Sequence, residues 1–308
     1  MPGIVVPFGD DVSAVPLNAN EVSVLKTDML VAQTDVPKGM TLFQAGRKAI
    51  VMNVSDFAAK GVAPRAALVS LGLPHSLKSS DLEDIARGLN AGAREYGTYI
   101  VGGDTGEACD LVVAVNLFGV SAKTGMMLRT GVHVGDVLAV TGLFGKPAAG
   151  LKIIKGGCEA TLDVRKSLLN SVCNPVARLQ EGLALRGSGA VSGSIDSSDG
   201  LAWCLHELSA QSGVGFLVSV LPVAEEVAGF AEQNQLDASE LVLYGGEEYE
   251  LVVTVDPKRW AKAEAAAAAA GGKLLPIGKA TRGRRVLLEV GGKRRVIEAR
   301  GYEHFKGC

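Results

Sequence analysis

The sequence lacks several features that mark particular classes of protein. No apolar run reaches the roughly 18 residues that a membrane span needs, and the first residues, MPGIVVPFGDD, lack the basic and long apolar regions of a signal peptide. The five cysteines are an odd number and are scattered along the chain, which indicates reduced thiols and not a disulfide framework. We therefore expect a soluble, cytoplasmic protein with no membrane partner.

Neither sign of charge dominates the chain. Lys and Arg total 31 and Asp and Glu total 33, for a formal net charge of -2. A nearly neutral chain without a basic cluster interleaved with aromatic residues is not a nucleic-acid binder by composition. The 308 residues predict two domains at about 150 residues each, and the 47% hydrophobic content is enough for sizeable cores.

The common catalytic and binding motifs are also missing. The sequence has no G-x-x-x-x-G-K-[ST] and no G-x-G-x-x-G after a strand, which excludes a standard nucleotide cradle. The four histidines form no H-E-x-x-H and no cysteine pair has C-x-x-C spacing, so a zinc site is not expected. There is no G-x-S-x-G nucleophile elbow.

What the chain does contain is an alternation of strands and helices in both halves. The apolar patterns, helix formers and breakers predict the elements, with a boundary between the halves at residues 131–135. The helix predicted over 41–60 is either continuous or broken near Asn53. The helical stretch predicted over 164–186 is divided by a break at Pro175. The predicted strands are 22–26, 66–73, 98–101, 111–120, 137–141, 190–195, 216–220, 251–255 and 286–290, and the predicted helices are 41–60, 79–96, 146–155, 164–186, 201–212 and 260–270.

Acidic residues follow apolar runs at six places, each among Gly, Ser or Thr. Any one of them is more often a turn former or helix cap than a ligand, and Asp199, before Gly200 and a helix, is the best cap candidate. Six in one chain are harder to explain as caps. If they converge, Mg²⁺ is the natural partner, because it prefers carboxylate, water and phosphate oxygens, and a polyphosphate nucleotide is the natural substrate. The segments are GDD at 9–11, TD at 27–28, SD at 55–56, GGDT at 102–105, DSSDG at 196–200 and GGEE at 245–248.

The ordered set of these segments resembles the thiamine-monophosphate kinase family in its archaeal-type version. The resemblance runs from residue 9 to residue 305, and the ordered set is more specific than any single element such as GGD. YGGE-x-YEL and the terminal GY-x-HF are typical of the thiamine branch within a superfamily of ATP-using enzymes. The matching stretches are GDDVSAV, KTDMLVAQTDVPKGM, GRKAIVMNVSDFAAKGVAP, YIVGGDTGE, LRTGVHVGDVLAVTG, IDSSDGLAWCLHEL, YGGEEYELVVTV and GYEHF.

The resemblance implies a fold and a reaction. The fold is α+β with two domains, like that of aminoimidazole ribonucleotide synthetase: an N-terminal α/β domain (1–134) that forms a homodimer, and a C-terminal α/β domain (135–308). The active cleft would lie between them. The reaction is Mg²⁺-dependent phosphoryl transfer from ATP to thiamine monophosphate, giving thiamine diphosphate and ADP. The acceptor phosphate is already a nucleophile, so no general base is expected among the side chains.

The resemblance also assigns site residues. The expected metal ligands are Asp11, Thr27, Asp28, Asp56, Asp104, Asp196 and Asp199. The residues expected to hold ATP phosphates are Gly103, Asp104, Arg129 and Ser198. The residues expected on the thiamine-phosphate side are Asp35, Glu247 and Tyr302. Without the resemblance, a packed tyrosine is an equally good interpretation of Tyr302.

Three positions depart from the common family pattern. Lys26 stands where many members have a small hydroxyl residue that helps to hold a metal, and it either neutralises phosphate or points outward from its strand. Asp35 replaces a frequent histidine, as in the archaeal-type version. Glu248 replaces a frequent aspartate, a modest change if this side chain only caps or hydrogen-bonds.

Three alternative functions can be weighed against the sequence. A selenophosphate synthetase needs a reactive cysteine near the N-terminus, and the first cysteine here is Cys109. A hydrogenase-maturation dehydratase carries a carbamoylated C-terminal cysteine, which makes it the runner-up because Cys308 is the last residue. A nucleotide-binding regulatory protein without catalysis is disfavoured by the intact carboxylates, since a decayed enzyme would have lost some.

Overall fold

The computed structural model describes residues 4–6 and 8–303, and its N-terminal part is built on a five-stranded sheet. The strand order is β1-β2-β5-β3-β4. β2 and β5 pair antiparallel over eleven residues each, while β3 and β4 run parallel. The strands are β1 (Ser13–Pro16), β2 (Glu21–Val31), β3 (Pro64–Leu73), β4 (Ile100–Glu107) and β5 (Val112–Ala122).

Helix α2 (Leu42–Lys60) packs with α3 (Ser79–Glu95) on one face of this sheet, after the four-residue α1 (Ala32–Asp35). A capping box between Thr41 and Gln44 begins α2, and a left-handed residue, Gly61, ends it. The break considered at Asn53 is wrong. Its amide donates to the Ala49 carbonyl (3.0 Å) inside an unbroken helix, so the polar side chain is satisfied without interrupting the backbone.

Strand β4 is longer than the predicted 98–101. It continues through Gly102, Gly103 and Asp104 to Glu107, and every one of its eight residues is exposed. The glycines weaken the local strand signal, but pairing with β3 supplies the hydrogen bonds that hold the segment extended. β4 therefore forms an exposed edge of the sheet.

The C-terminal part is built on a seven-stranded sheet with the order β12-β11-β8-β10-β6-β9-β7. No element was predicted at β10, whose Pro276 and Gly278 lower strand propensity and accompany a register shift, nor at β1, β12, α8 or α9. The strands are β6 (Val137–Val140), β7 (Val191–Asp196), β8 (Gly215–Val218), β9 (Leu251–Val255), β10 (Leu275–Thr281), β11 (Val286–Val290) and β12 (Lys293–Val296). The helices are α4 (Lys146–Lys155), α5 (Leu162–Cys173), α6 (Leu179–Ser188), α7 (Leu201–Ser212), α8 (Glu225–Gln233), α9 (Ala238–Tyr244) and α10 (Trp260–Ala269), with a 3-10 turn at Pro257–Arg259.

The two sheets share a hydrophobic core around α2. Val54 and Phe57 of α2, Leu117 of β5, and Leu251 and Val253 of β9 belong to one buried cluster. Helix α2 also contacts α6 and β7 of the C-terminal part. Helix α2 therefore contacts segments of both parts of the chain.

None of the helices formed by residues 4–6 and 8–303 is long and apolar enough to cross a membrane.

Candidate active site

Three buried aspartates from distant parts of the chain meet beside α2. Asp11 precedes β1, Asp56 lies on α2 and Asp196 ends β7. One carboxylate oxygen of each lies within 4.8 Å of those of the other two. The sequence predicted all three as metal ligands, and the structure brings them together.

Three cations surround the aspartate cluster, defined as Asp11, Asp56 and Asp196. Lys60 Nζ lies 2.7 Å from Asp11 Oδ2, and Arg129 Nε donates to Asp11 Oδ1 (2.8 Å). Lys26 Nζ lies 2.9 Å from Asp56 Oδ2. Asp196 instead accepts a hydrogen bond from the Ser55 hydroxyl (2.7 Å). The positive charge is therefore distributed unevenly over the cluster.

The uneven charge is reflected in the pKa values of the cluster. Burial raises the pKa of Asp196 to about 6, with a further contribution from the neighbouring Asp11. Burial also raises the pKa of Asp56 well above its usual value, against the opposing attraction of Lys26. Burial alone would raise the pKa of Asp11, but Lys60 and Arg129 outweigh it and lower that pKa. The negative charges of Asp56 and Asp196 are thus not fully compensated by neighbouring cations. The three carboxylates offer only oxygen ligands, which fit a hard divalent cation.

The side chains of Lys26, Thr27 and Asp28 on β2 point alternately to the two faces of the sheet. Asp28 and Lys26 are half-buried on the side of α2, whereas Thr27 between them is exposed, because successive side chains of a strand point to opposite faces. Lys26 therefore does not point outward, and its pKa is raised because Asp56 and Asp28 outweigh the opposing effect of burial. Thr27 instead lines a cavity of about 580 Å³ that also contacts Asp11 and Arg129.

A cleft of about 290 Å³ is lined by Asp56 and Asp196 of the aspartate cluster, together with the three residues expected on the thiamine-phosphate side. Asp11, the third aspartate, lines the cavity of about 580 Å³ instead. Tyr302, which also lines this cleft, donates its backbone N–H to the Asp199 carbonyl (3.0 Å). Asp199 does not hold the predicted cap position, because the N-cap of α7 is Gly200. The lining residues that the sequence had predicted are Asp28, Asp35, Asp56, Arg129, Asp196, Ser198, Asp199, Glu247 and Tyr302.

Asp35, Glu247 and Tyr302 also line a neighbouring cavity of about 400 Å³. Asp35 Oδ2 accepts the Val31 N–H (2.7 Å), which fixes the carboxylate at the end of α1. Burial raises the pKa of the Tyr302 hydroxyl, and the charges of Asp35 and Glu247 add to the shift. The structure thus places two carboxylates and one aromatic ring around a common space.

Gly103 and Asp104 are not part of this cleft. Asp104 is exposed on β4 opposite Ser70 of β3, and its carboxylate accepts the Thr105 N–H (2.9 Å). Ser70 and Asp104 lie on the face of the sheet that carries Thr27, away from α2. Within one chain, two residues expected to bind ATP therefore lie apart from the aspartate cluster.

The comparisons with known proteins identify the family of this chain. The family model for the AIR synthase related protein N-terminal domain matches residues 9–121, and that for the C-terminal domain matches residues 133–291. The chain is 34% identical over 297 residues to the thiamine-monophosphate kinase of Nitrosopumilus maritimus, covering 96% of this chain and 93% of that protein. The chain belongs to the thiamine-monophosphate kinase family. The structure of AaThiL complexed with AMPPCP and TMP has a TM-score of 0.85 at 28% identity, over 97% of this chain and 92% of that one.

Membership of the thiamine-monophosphate kinase family confirms the α+β fold with two AIR synthase-type domains. A hydrogenase-maturation protein, HypE of E. coli, has a TM-score of 0.72 at 24% identity over 91% of this chain and 87% of its own. This likeness shows a shared fold alone. Cys308, on which that alternative rested, lies outside the described residues, as do His304 and Phe305 of the terminal motif.

The segment 245–250 of this family member takes an irregular path that the sequence did not predict. Glu247 and Tyr249 have positive φ angles (66° and 53°), which non-glycine residues rarely adopt. Glu248, the departure from aspartate, accepts the N–H of Gly145 at the start of α4. Glu250 accepts hydrogen bonds from Thr141 Oγ1 (2.6 Å) and Arg178 Nε (2.8 Å). These two glutamates anchor the segment that presents Glu247 to the cleft.

Sequence reasoning missed two lysines of α2 that contact predicted site residues. Lys48 and Lys60 are both fully buried. Charged residues on a helix are normally interpreted as solvent-exposed, and their partners come from segments remote in the sequence. The only signal was their placement among apolar residues within α2.

Proposed function

We propose that this chain catalyses Mg²⁺-dependent transfer of the γ-phosphoryl group of ATP to thiamine monophosphate, giving thiamine diphosphate and ADP. The observation that carries the proposal is the cleft whose lining combines Asp56 and Asp196 of the aspartate cluster with Asp35, Glu247 and Tyr302. A charged donor site and an acceptor site with an aromatic ring are what this reaction requires. The relatives at about a third identity are named for the same reaction.

On the nucleotide side, Asp11, Asp56 and Asp196 would hold Mg²⁺, with Asp28 and Asp199 beside them. When bound, Mg²⁺ supplies positive charge that neutralises the transferring phosphates. Arg129, already oriented by Asp11, would contribute a planar donor fork to phosphate oxygens, and Ser198 a hydroxyl. Thr27 lies on the opposite face of β2, so we propose that any part it takes in binding is at the cavity it shares with Asp11 and Arg129.

On the acceptor side, the chain's own residues bind and orient. Asp35 or Glu247 would accept a hydrogen bond from the aminopyrimidine or offset the thiazolium cation, and Tyr302 would stack on a planar ring. The acceptor phosphate attacks without losing a proton to a side chain, so catalysis is positioning and charge neutralisation. We therefore propose no general base.

We also propose that two copies pair through the outer face of the N-terminal sheet, defined as the face opposite α2. Large apolar side chains are exposed there on three strands: Leu25 and Met29 of β2, Phe118 of β5 and Leu68 of β3. Leu25 lies directly opposite Phe118 across the β2–β5 pair. An apolar patch on several adjacent strands is typical of an interface. Asp104 lies on the same face, so pairing would bring Asp104 and Gly103 of one copy toward the other copy.

The reduced cysteines support a cytoplasmic location as part of this proposal. Cys109, Cys158, Cys173 and Cys204 are free thiols in the described part of the chain. Free thiols persist where glutathione and thioredoxin keep proteins reduced, as in the cytoplasm.

The deciding experiment is incubation of the purified protein with thiamine monophosphate, ATP and Mg²⁺, followed by chromatographic separation of the thiamine esters. We expect thiamine diphosphate to accumulate in step with ADP. Reactions that lack Mg²⁺, or that contain thiamine in place of its monophosphate, serve as controls and should give none. ADP release without thiamine diphosphate would contradict the proposal.

A further inference from the structure

Lys48 is a fully buried cation that no part of the proposed reaction uses. It lies on α2, six residues after the first residue of the helix, with its side chain inaccessible to solvent. A buried ammonium is costly unless it is paired and hydrogen-bonded. The two groups that compensate the charge of Lys48 therefore indicate its role.

Both partners of Lys48 belong to the acceptor side. Its Nζ forms an ion pair with Glu247 Oε1 and donates a hydrogen bond to the Asp35 carbonyl oxygen (2.9 Å). Asp35 ends α1 in the N-terminal part, whereas Glu247 lies in the irregular segment after α9. One ammonium group thus joins the two segments whose side chains line the acceptor cavity with Tyr302.

Glu247 needs such support because its backbone conformation is unfavourable. Its φ of 66° lies in the left-handed region, which is unfavourable for a residue other than glycine. Its N–H donates to the Ser198 carbonyl (2.6 Å), which fixes the backbone, and Lys48 fixes the side chain. None of the described residues hydrogen-bonds the second carboxylate oxygen, Oε2. With Oε1 committed to Lys48, Oε2 is the oxygen available to a ligand.

We propose that Lys48 is a positioning residue for the acceptor substrate. By holding Glu247 and the Asp35 backbone, it presents a fixed carboxylate to a cationic, planar heterocycle in the cavity beside Tyr302. Lys48 itself is buried behind Glu247 and touches no substrate. This inference rests on the proposed function, because it concerns the acceptor site of that reaction.

Lys60 provides a matched comparison on the same helix. It is also fully buried and also paired with carboxylates, but twelve residues further along, or about 18 Å by helical rise. Its Nζ lies 2.6 Å from Asp10 Oδ1 and 2.7 Å from Asp11 Oδ2, and it donates to the Ser194 carbonyl (2.9 Å). Its partners are on the nucleotide side. The two lysines are thus equally buried, but Lys48 contacts residues of the acceptor side and Lys60 contacts residues of the nucleotide side.

The test compares Lys48→Met with Lys60→Met by measuring KM for both substrates in each folded variant. We expect Lys48→Met to raise KM for thiamine monophosphate by at least about tenfold, the effect of losing one oriented contact, with KM for ATP within about twofold. We expect Lys60→Met to raise KM for ATP by at least about tenfold and to leave KM for thiamine monophosphate within about twofold. A lysine with only a structural role would lower the melting temperature without separating the two KM values.

Circular dichroism and thermal melting establish that each variant is folded. If Lys48→Met does not fold, Lys48→Gln, which keeps an amide donor for the Asp35 carbonyl, takes its place with the same expectation. Equal changes in both KM values, or no change in either, would overturn the inference. Thiamine diphosphate formation by the unsubstituted protein is measured in parallel, so that failure of the proposed function is distinguished from failure of the role of Lys48.

Discussion

Asp56 is a carboxylate that the fold stabilises poorly without a bound cation. Burial raises its pKa well above the usual value, so its ionised form reduces the stability of the metal-free protein at neutral pH. We predict that Asp56→Asn abolishes phosphoryl transfer and raises the melting temperature at pH 7 in the presence of a chelator. The gain should disappear near pH 4, where the carboxyl of the unsubstituted protein is protonated. Full activity of Asp56→Asn at modest Mg²⁺ would contradict its assignment as a ligand.

Tyr302 is the residue for which a structural and a functional interpretation differ most clearly. It is 46% exposed, which leaves much of its surface available to a ligand. We predict that Tyr302→Ala raises KM for thiamine monophosphate by roughly tenfold through lost stacking and cation–π contact, with KM for ATP nearly unchanged. Both KM values and a melting curve decide this. A lower melting temperature with unchanged KM values would show that Tyr302 serves packing.

Glu248 gives a stability prediction with a defined pH dependence. Burial raises the pKa of this carboxyl well above its usual value, with a smaller opposing effect of the Gly145 N–H. The folded state therefore holds its proton more tightly than the unfolded state, and stability is lost as pH rises above about 4.3 through the folded pKa. We predict that Glu248→Gln, whose amide oxygen still accepts the Gly145 N–H, unfolds at higher denaturant concentration than the unsubstituted protein at pH 8. At pH 4 the two should be equal.

At the scale of elements, the contact between α2 and α3 depends on the absence of a side chain at Gly88. A Cβ atom there would lie 1.9 Å from the Phe43 carbonyl oxygen of α2, and backbone cannot move aside as a side chain can. We predict that Gly88→Ala destabilises the protein by about 1–3 kcal/mol despite the better helix propensity of alanine.

The matched control is Gly229→Ala in α8. A Cβ atom at Gly229 would meet no atom within 4 Å, so we expect stabilisation of up to about 1 kcal/mol from helix propensity alone. Chemical denaturation of both variants measures the difference. Equal effects of the two substitutions would show that the close approach of α2 and α3 is not limiting.

At the scale of the whole molecule, the outer face of the N-terminal sheet should decide the oligomeric state. Leu68 is exposed on β3, within the apolar part of that face. We predict that Leu68→Glu converts dimers into monomers in light scattering, because the substitution places a charge on each copy within an apolar interface. Leu162→Glu is the matched control, since Leu162 is an exposed leucine at the start of α5, outside this sheet. Dissociation by both variants, or by neither, would contradict pairing through the outer face.

The sequence by itself determined what depends on neighbouring residues. The helix over 42–60 begins where Thr41 and Gln44 form a capping box, and Pro175 separates α5 from α6, because caps and breakers act within a few residues. The acidic segments were noticed for a similar reason, because each follows an apolar run and lies among small residues, but it was the resemblance to the family that assigned them as metal ligands. The ordered motifs also gave the family, which the comparisons confirm.

Only the tertiary structure decided which of those residues meet and which lie apart. Asp11, Asp56 and Asp196 converge because α2 lies between two sheets, whereas pairing of β4 with β3 carries Asp104 to the opposite face. Lys48 and Lys60 were missed because the free energy of a buried charge depends on its partners, and those partners lie 13 to 199 residues away from Lys48 and up to 134 residues away from Lys60. Sequence patterns report local preference, while electrostatic compensation is set by positions in space.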